Sequence, residues 1–184
     1  GEIQPPVHET MPPNPLSPYG ASKLAVEGYC SAFSSCYGLS TVSLRFSNIF
    51  GPRSFHKGSV IAHFFKNIIA DNELVVFGDG SQIRDFLYVD DLVSGIAEFI
   101  ESDFSGVFQL GSGKPVTINE LLNNMTEIVG ADYKFNVRYV DFRPGEIRET
   151  WSDIEKAQHA INFRPKTSLT DGLRQTWHWF QKQH

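Results

Sequence analysis

Two side chains, Tyr19 and Lys23, have the types and the spacing to move a proton. Residues four apart on a helix lie on one face, one turn apart. An ammonium held there lowers the pKa of a phenol, whose free value is about 10. The preceding Ser17-Pro18 is an N-cap followed by proline at the first helical position. Tyr19 then falls in the first turn, where the positive end of the helix dipole also favours a phenolate. The chemistry implied is a tyrosine acting as general base near neutral pH. Alone, this spacing is common on helix surfaces and is a weak signal.

Anion recognition is the second chemistry the residues suggest. Arg84 and Arg143 flank strand–loop junctions, where guanidinium groups can fork onto phosphate. Arg45, Arg53 and Arg148 read as solvated or ion-paired surface groups. The two G-x-G stretches, Gly78-Asp79-Gly80 and Gly111-Ser112-Gly113, lack the third glycine of a dinucleotide fingerprint and read as turns. The six histidines show no metal-binding spacing. A net charge of −5 over 184 residues argues against nucleic-acid binding. No apolar run reaches membrane-spanning length. Cys30 and Cys36 read as reduced packing thiols of a cytoplasmic protein.

These residues need an α/β frame to position them. Prolines crowd the first 18 residues, which read as extended surface chain. A helix follows from Pro18 to about Tyr37, with Leu24, Tyr29 and Phe33 as candidates for its buried face and Gly38 as its stop. Residues 41–46 alternate as a strand, and 47–52 read as a turn at its C-terminal end, where ligands of open α/β sheets bind. A helix over 58–70, a strand over 73–77 and a strand over 84–89 come next. Asp90 or Asp91 is expected to cap a helix reaching Ile100. Residues 107–110 form a strand, 118–129 a helix capped by Thr117, and 134–140 a strand. Helices over 154–161 and 169–181 close the chain, with Trp177, Trp179 and Phe180 as core or interface anchors.

Several stretches, in this order, resemble one family, the extended short-chain dehydrogenase/reductases that act as nucleotide-sugar epimerases and dehydratases. They are Pro15-Leu16-Ser17-Pro18-Tyr19-Gly20-Ala21-Ser22-Lys23, residues 44–53 from Leu44 to Arg53, Phe77-Gly78-Asp79-Gly80, residues 84–91 from Arg84 to Asp91, Arg143-Pro144-Gly145-Glu146 and Ser152-Asp153. The resemblance covers nearly the whole chain and is closest to UDP-glucose 4-epimerase-like members. It implies that Tyr19 is the catalytic base and that Lys23 holds the nicotinamide ribose of NAD while lowering the phenol's pKa. Phe46 resembles the residue passing the nicotinamide. Asn48, Arg84 and Arg143 resemble the diphosphate-binding residues, and Glu146 the acid that bonds the nucleotide ribose. Ser59, Val60 and Phe77 fall in the segments framing uracil.

The same resemblance sets the expected organisation: a partial Rossmann-like sheet lacking the Gly-rich βαβ unit, plus a small α/β substrate-binding domain. Residues 1–56 would be the remnant of the dinucleotide-binding domain. Residues 57–184 would be mainly substrate-binding, with 84–110 returning to the Rossmann sheet. The family's Gly-rich unit and its upstream Ser/Thr have no counterpart here. The expectation is therefore the C-terminal portion of an NAD-dependent 4-epimerase acting on a UDP-hexose or UDP-N-acetylhexosamine. Dehydratase, decarboxylase and reductase remain open within the family. As an isolated chain it is expected to lose NAD and turnover, and to persist as a nucleotide-sugar-binding or self-associating module. An exposed apolar face on the Tyr helix and an open sheet edge imply a homo-oligomer.

Overall fold

A computed structural model describes residues 4–143 and 145–183, and Pro144 of the Arg143–Glu146 motif lies outside them. Helices α1 (Pro18–Tyr37), α2 (Val60–Ile69), α3 (Val89–Ile100), α4 (Ile118–Val129), α5 (Glu155–Ile161) and α6 (Leu169–Gln181) alternate with short strands. The strands are β1 (Val42–Phe46), β2 (Asn48–Phe50), β3 (Leu74–Phe77), β4 (Ile83–Tyr88), β5 (Gly106–Leu110), β6 (Pro115–Thr117) and β7 (Val137–Val140). β1 pairs in parallel with β5, and β3 in parallel with β7. β4 takes β2 as a parallel neighbour on one side and β6 as an antiparallel one on the other. The parallel pairs are joined through helices, as parallel strands require.

Local chemistry explains most of the element boundaries. Ser17 Oγ accepts the Gly20 N–H at 3.0 Å, Pro18 occupies the first helical position, and Gly38 at φ 67° closes α1. Thr117 and Glu120 form a reciprocal capping box on α4. Four expectations need correction. The segment after β1 is a strand rather than a turn, because residues 48–50 find a ladder on β4. Neither Asp90 nor Asp91 caps α3, which starts at Val89. Asp91 is drawn inward instead, accepting the N–H groups of Lys166 and Thr167 at 3.0 Å each. The strand expected over 134–140 pairs only from Val137. Lastly, α1 buries none of its residues, and Tyr29 and Phe33 face solvent.

Two apolar clusters fill the interior. The larger joins α2, α4 and α6 to β2, β3 and β4 through residues that include Phe50, Phe65, Val76, Phe86, Leu121 and Phe180. The smaller packs α3 and α5 against β5 through Leu92, Phe99, Phe108, Leu110 and Phe163. Asp85 ties the two regions together on β4. Its oxygens accept from Ser112 N (2.8 Å), Ser112 Oγ (2.6 Å), Gly113 N (3.3 Å) and Ser152 N (3.1 Å). A buried carboxylate so fully satisfied is a rigid joint. The N-terminal segment is also fastened: Val7 N–H donates to Trp151 O at 2.8 Å, and Glu9 Oε1 accepts Gln109 N–H at 2.7 Å.

Candidate functional site

Asn48, Ser59, Val60, Phe77, Arg84, Arg143 and Glu146 all line one cleft of about 310 Å³. They arrive from five places: the first residue of β2, the start of α2, the end of β3, the body of β4, and the loop after β7. The Arg84 side chain, 17% exposed, pairs with Glu146 Oε1 at 3.3 Å and donates to the carbonyls of Ile83 and Arg148. Burial pulls the Arg84 pKa down and the nearby Glu146 charge opposes this. A largely buried guanidinium at a cleft favours an anionic ligand.

The neighbours of Arg84 add to that bias. Arg143 sits over the Phe77 ring, its guanidinium carbon 3.6 Å from the centroid. Asn48 Nδ2 donates to the Asp85 carbonyl at 3.1 Å, fixing the amide. Ser59 stands at the N-cap of α2 but makes no side-chain cap bond, so the helix presents open N–H groups and the positive end of its dipole. Among the described residues three side-chain oxygens are buried without a partner, and two of them, Glu146 Oε2 and Gln82 Oε1, belong to cleft residues, the third being Ser47 Oγ. Gln82 and His63 also line the cleft, and neither stands out in the sequence. A glutamine between a turn and a strand has no spacing signature, and its burial depends on chain packing elsewhere.

Tyr19 and Lys23 do meet on α1. The Lys23 Nζ sits 5.2 Å from the Tyr19 ring centroid, and Ser22 Oγ donates to the Tyr19 carbonyl. The helix runs antiparallel to β1, since Thr41 reaches Cys30 and Arg45 forks onto Glu27 at 2.7 Å per bond. The start of α1 therefore projects toward the C-terminal end of β1, where Phe46 lies. Tyr19 (72% exposed) and Phe46 (48% exposed) do not line the cleft. Lys23 lines a second cleft of about 340 Å³, with Glu27, Arg45, Gln109 and the N-terminal segment.

Tyr19, Lys23 and Phe46, which the resemblance assigns to the nicotinamide end of NAD, thus stand apart from the cleft residues. Side chains of this chain fill the space beside both G-x-G loops. A Cβ on Gly78 would strike Phe142, one on Gly80 would strike Asn119, and one on Gly111 would strike Asp85. Each loop is thus a close-packed turn. The described residues offer no pyrophosphate cradle at these positions. They also contain no cluster of metal-ligating side chains, and no helix long and apolar enough to cross a membrane.

Residues 1–176 match the family model described as GDP-mannose 4,6 dehydratase. The UDP-glucuronate 4-epimerase of Thermodesulfobacterium geofontis is 33% identical over 177 residues, covering 95% of this chain and 54% of that protein. Among solved structures, the UDP-N-acetylglucosamine 4-epimerase of Methanobrevibacter ruminantium, in complex with UDP-N-acetylmuramic acid, superposes with a TM-score of 0.93 at 35% identity. It is matched over 100% of this chain and 60% of that one. The UDP-glucuronic acid 4-epimerase of Bacillus cereus, in complex with UDP-glucuronic acid and NAD, gives 0.91 at 30% identity, over 100% and 59%. The chain thus spans little more than half the length of the proteins it matches.

Proposed function

Because the chain belongs to the family of NAD-dependent nucleotide-sugar epimerases and dehydratases, we propose that it is the nucleotide-sugar-binding portion of a 4-epimerase acting on a UDP-hexose or UDP-N-acetylhexosamine. The observation that carries this reading is the convergence of Arg84, Arg143, Asn48, Glu146 and the start of α2 on one cleft. Arg84 and Arg143 hold the diphosphate, helped by the open N–H groups of α2. The unpartnered Glu146 Oε2 accepts a ribose hydroxyl, which relieves its burial without a donor. Ser59, Val60 and Phe77 frame the base.

At the other end of the ligand, Tyr19 takes the proton of the sugar 4-hydroxyl, with Lys23 stabilising the phenolate. NAD, when bound beside Tyr19, Lys23 and Phe46, supplies reversible hydride acceptance at that carbon. On this reading residues 1–56 serve the dinucleotide side and residues 57–184 mainly the substrate side, with 84–110 contributing back to the sheet. With only the nicotinamide end provided for, the chain by itself binds nucleotide-sugar and does not turn it over. A cytoplasmic setting fits its two free cysteines.

Titration calorimetry tests this directly. UDP and UDP-glucose should bind the 184-residue chain, and Arg84→Ala should lose that binding. Absence of UDP binding to the unmodified chain would overturn the proposal, and micromolar NAD binding would overturn the claim of lost turnover capacity.

A second reading, self-association, is favoured by the face of α1. Val26, Tyr29, Phe33 and Tyr37 are exposed along it, at spacings that share one side of a helix. A second copy of the chain would cover them. Sedimentation over a wide concentration range should give a dimer or larger species, and a monomer throughout would dispose of the idea.

A further inference from the structure

Gln82 is only 4% exposed, lines the nucleotide cleft, and is one of the few buried polar side chains in the protein. Its Nε2 donates to the Phe77 carbonyl, which can only accept, so the orientation of the amide is settled by its neighbour. Oε1 is therefore an acceptor, and it is buried without a partner. An unmet buried carbonyl costs free energy unless a ligand brings a donor to it.

The position of this acceptor narrows the donor. Among the cleft residues, Glu146 carries the other buried unpartnered oxygen and sits on Arg84, at the charged side of the cleft. Gln82 is instead bonded to the main chain of Phe77, and the apolar Val75, Val76 and Ile118 line the same cleft. Apolar walls with one fixed acceptor suit a heterocycle with a ring N–H. We propose that Gln82 selects the base: its Oε1 accepts the imide N–H of a uracil or thymine ring, so that the cleft takes these nucleotides in preference to cytosine ones. This rests on the reading of the cleft as a nucleoside-diphosphate site. Cytosine presents a lone pair at the same ring position, which would face the Oε1 lone pairs and leave both unsatisfied. Sites built around a buried hydrogen bond reject such analogues strongly.

The test compares dissociation constants of UDP, CDP and N3-methyl-UDP for the unmodified chain and for Gln82→Met, which keeps the volume and removes the acceptor. The unmodified chain should prefer UDP over both analogues by about 30-fold. Gln82→Met should bind all three within about threefold of one another. A preference for UDP that survives in Gln82→Met would overturn the role of Gln82 while leaving the cleft a nucleotide site. Failure of UDP to bind the unmodified chain would overturn both. If Gln82→Met does not fold, the side-chain amide resonances of Gln82 in the unmodified chain decide. They should shift with UDP and stay in place with N3-methyl-UDP, and equal shifts with both would overturn the proposal.

Discussion

The cleft and the Tyr19 helix carry the two halves of the proposed chemistry, yet they are built in opposite ways. The cleft is floored by the larger apolar cluster and bounded by side chains already held in place. Arg84 is pinned by Glu146 and two carbonyls, Arg143 sits over the Phe77 ring, and Asn48 is bonded to Asp85 O. The Tyr19 helix has a sound N-cap and C-cap but buries no residue. Its ties to the body include the Arg45–Glu27 fork and the Thr41 hydroxyl on Cys30 O. Substrate affinity is thus a property of packed, preorganised structure. The proposed catalytic pair, Tyr19 and Lys23, sits on an element held by its own local chemistry and a few polar contacts. Caps and a single fork keep a helix in being, whereas packing decides how stably it stays in register with its neighbours.

The largest expected effect tests the cleft's frame. Asp85→Ala leaves the buried donors of Ser112, Gly113 and Ser152 without a partner. It should cost about 3 kcal/mol in urea unfolding, and a loss under about 1 kcal/mol would mean that water replaces the carboxylate at no penalty. Next, Arg84→Ala should weaken UDP about 100-fold, while Tyr19→Phe should leave UDP affinity unchanged. Equal losses from the two would erase the division between the regions.

A smaller effect concerns the capping box. Thr117→Ala should cost about 1 kcal/mol. Hydrogen bonds from the Thr117 N–H and then its hydroxyl hold the Glu120 carboxyl below the usual range. The folded pKa lies below the unfolded one, so the associated stability is present above the ordinary carboxylate pKa, about 4.3. It is lost as pH falls through the folded value. The unmodified protein should therefore lose more of its urea midpoint on acidification through this window than Thr117→Ala does, and matching losses would contradict the assignment. The smallest effect belongs to α1. Tyr29→Ser should change monomer stability by less than about 0.5 kcal/mol. A larger loss that fades on dilution would place Tyr29 in an interface between copies.

Elements governed by local chemistry were legible in the sequence. Ser17-Pro18, Thr117 with Glu120, and the apolar spacing of Ile61, Phe64, Phe65 and Ile68 each contain their own explanation within one or two helical turns. Of the seven cleft residues, Arg84 and Arg143 could be picked out from their strand–loop positions, and the other five were legible only through the resemblance, because no spacing rule brings Asn48 and Glu146 to one cleft. What was missed depends on distant partners. β2 and β6 are three residues each and exist because β4 lies between them. Asp91 looks like a cap until residues 166–167 arrive to use it. The spacing along α1 marks a stripe for burial, the resemblance expects that face to be left exposed, and nothing among the described residues covers it.

Asp85 has a further consequence, for the order in which the molecule assembles. Its bond to Ser152 spans 67 positions of the chain, and the Arg84–Glu146 contact spans 62. A chain emerging from the ribosome presents Asn48 and Arg84 well before the segment that completes their surroundings. Until then a buried carboxylate and a buried guanidinium wait in water, and the cleft does not exist. Loop closures of that length are slow compared with helix formation. We expect refolding chains to gain helix signal first and UDP competence last, as stopped-flow circular dichroism run beside a UDP-binding pulse would detect. Simultaneous recovery would mean that the cleft closes with the helices.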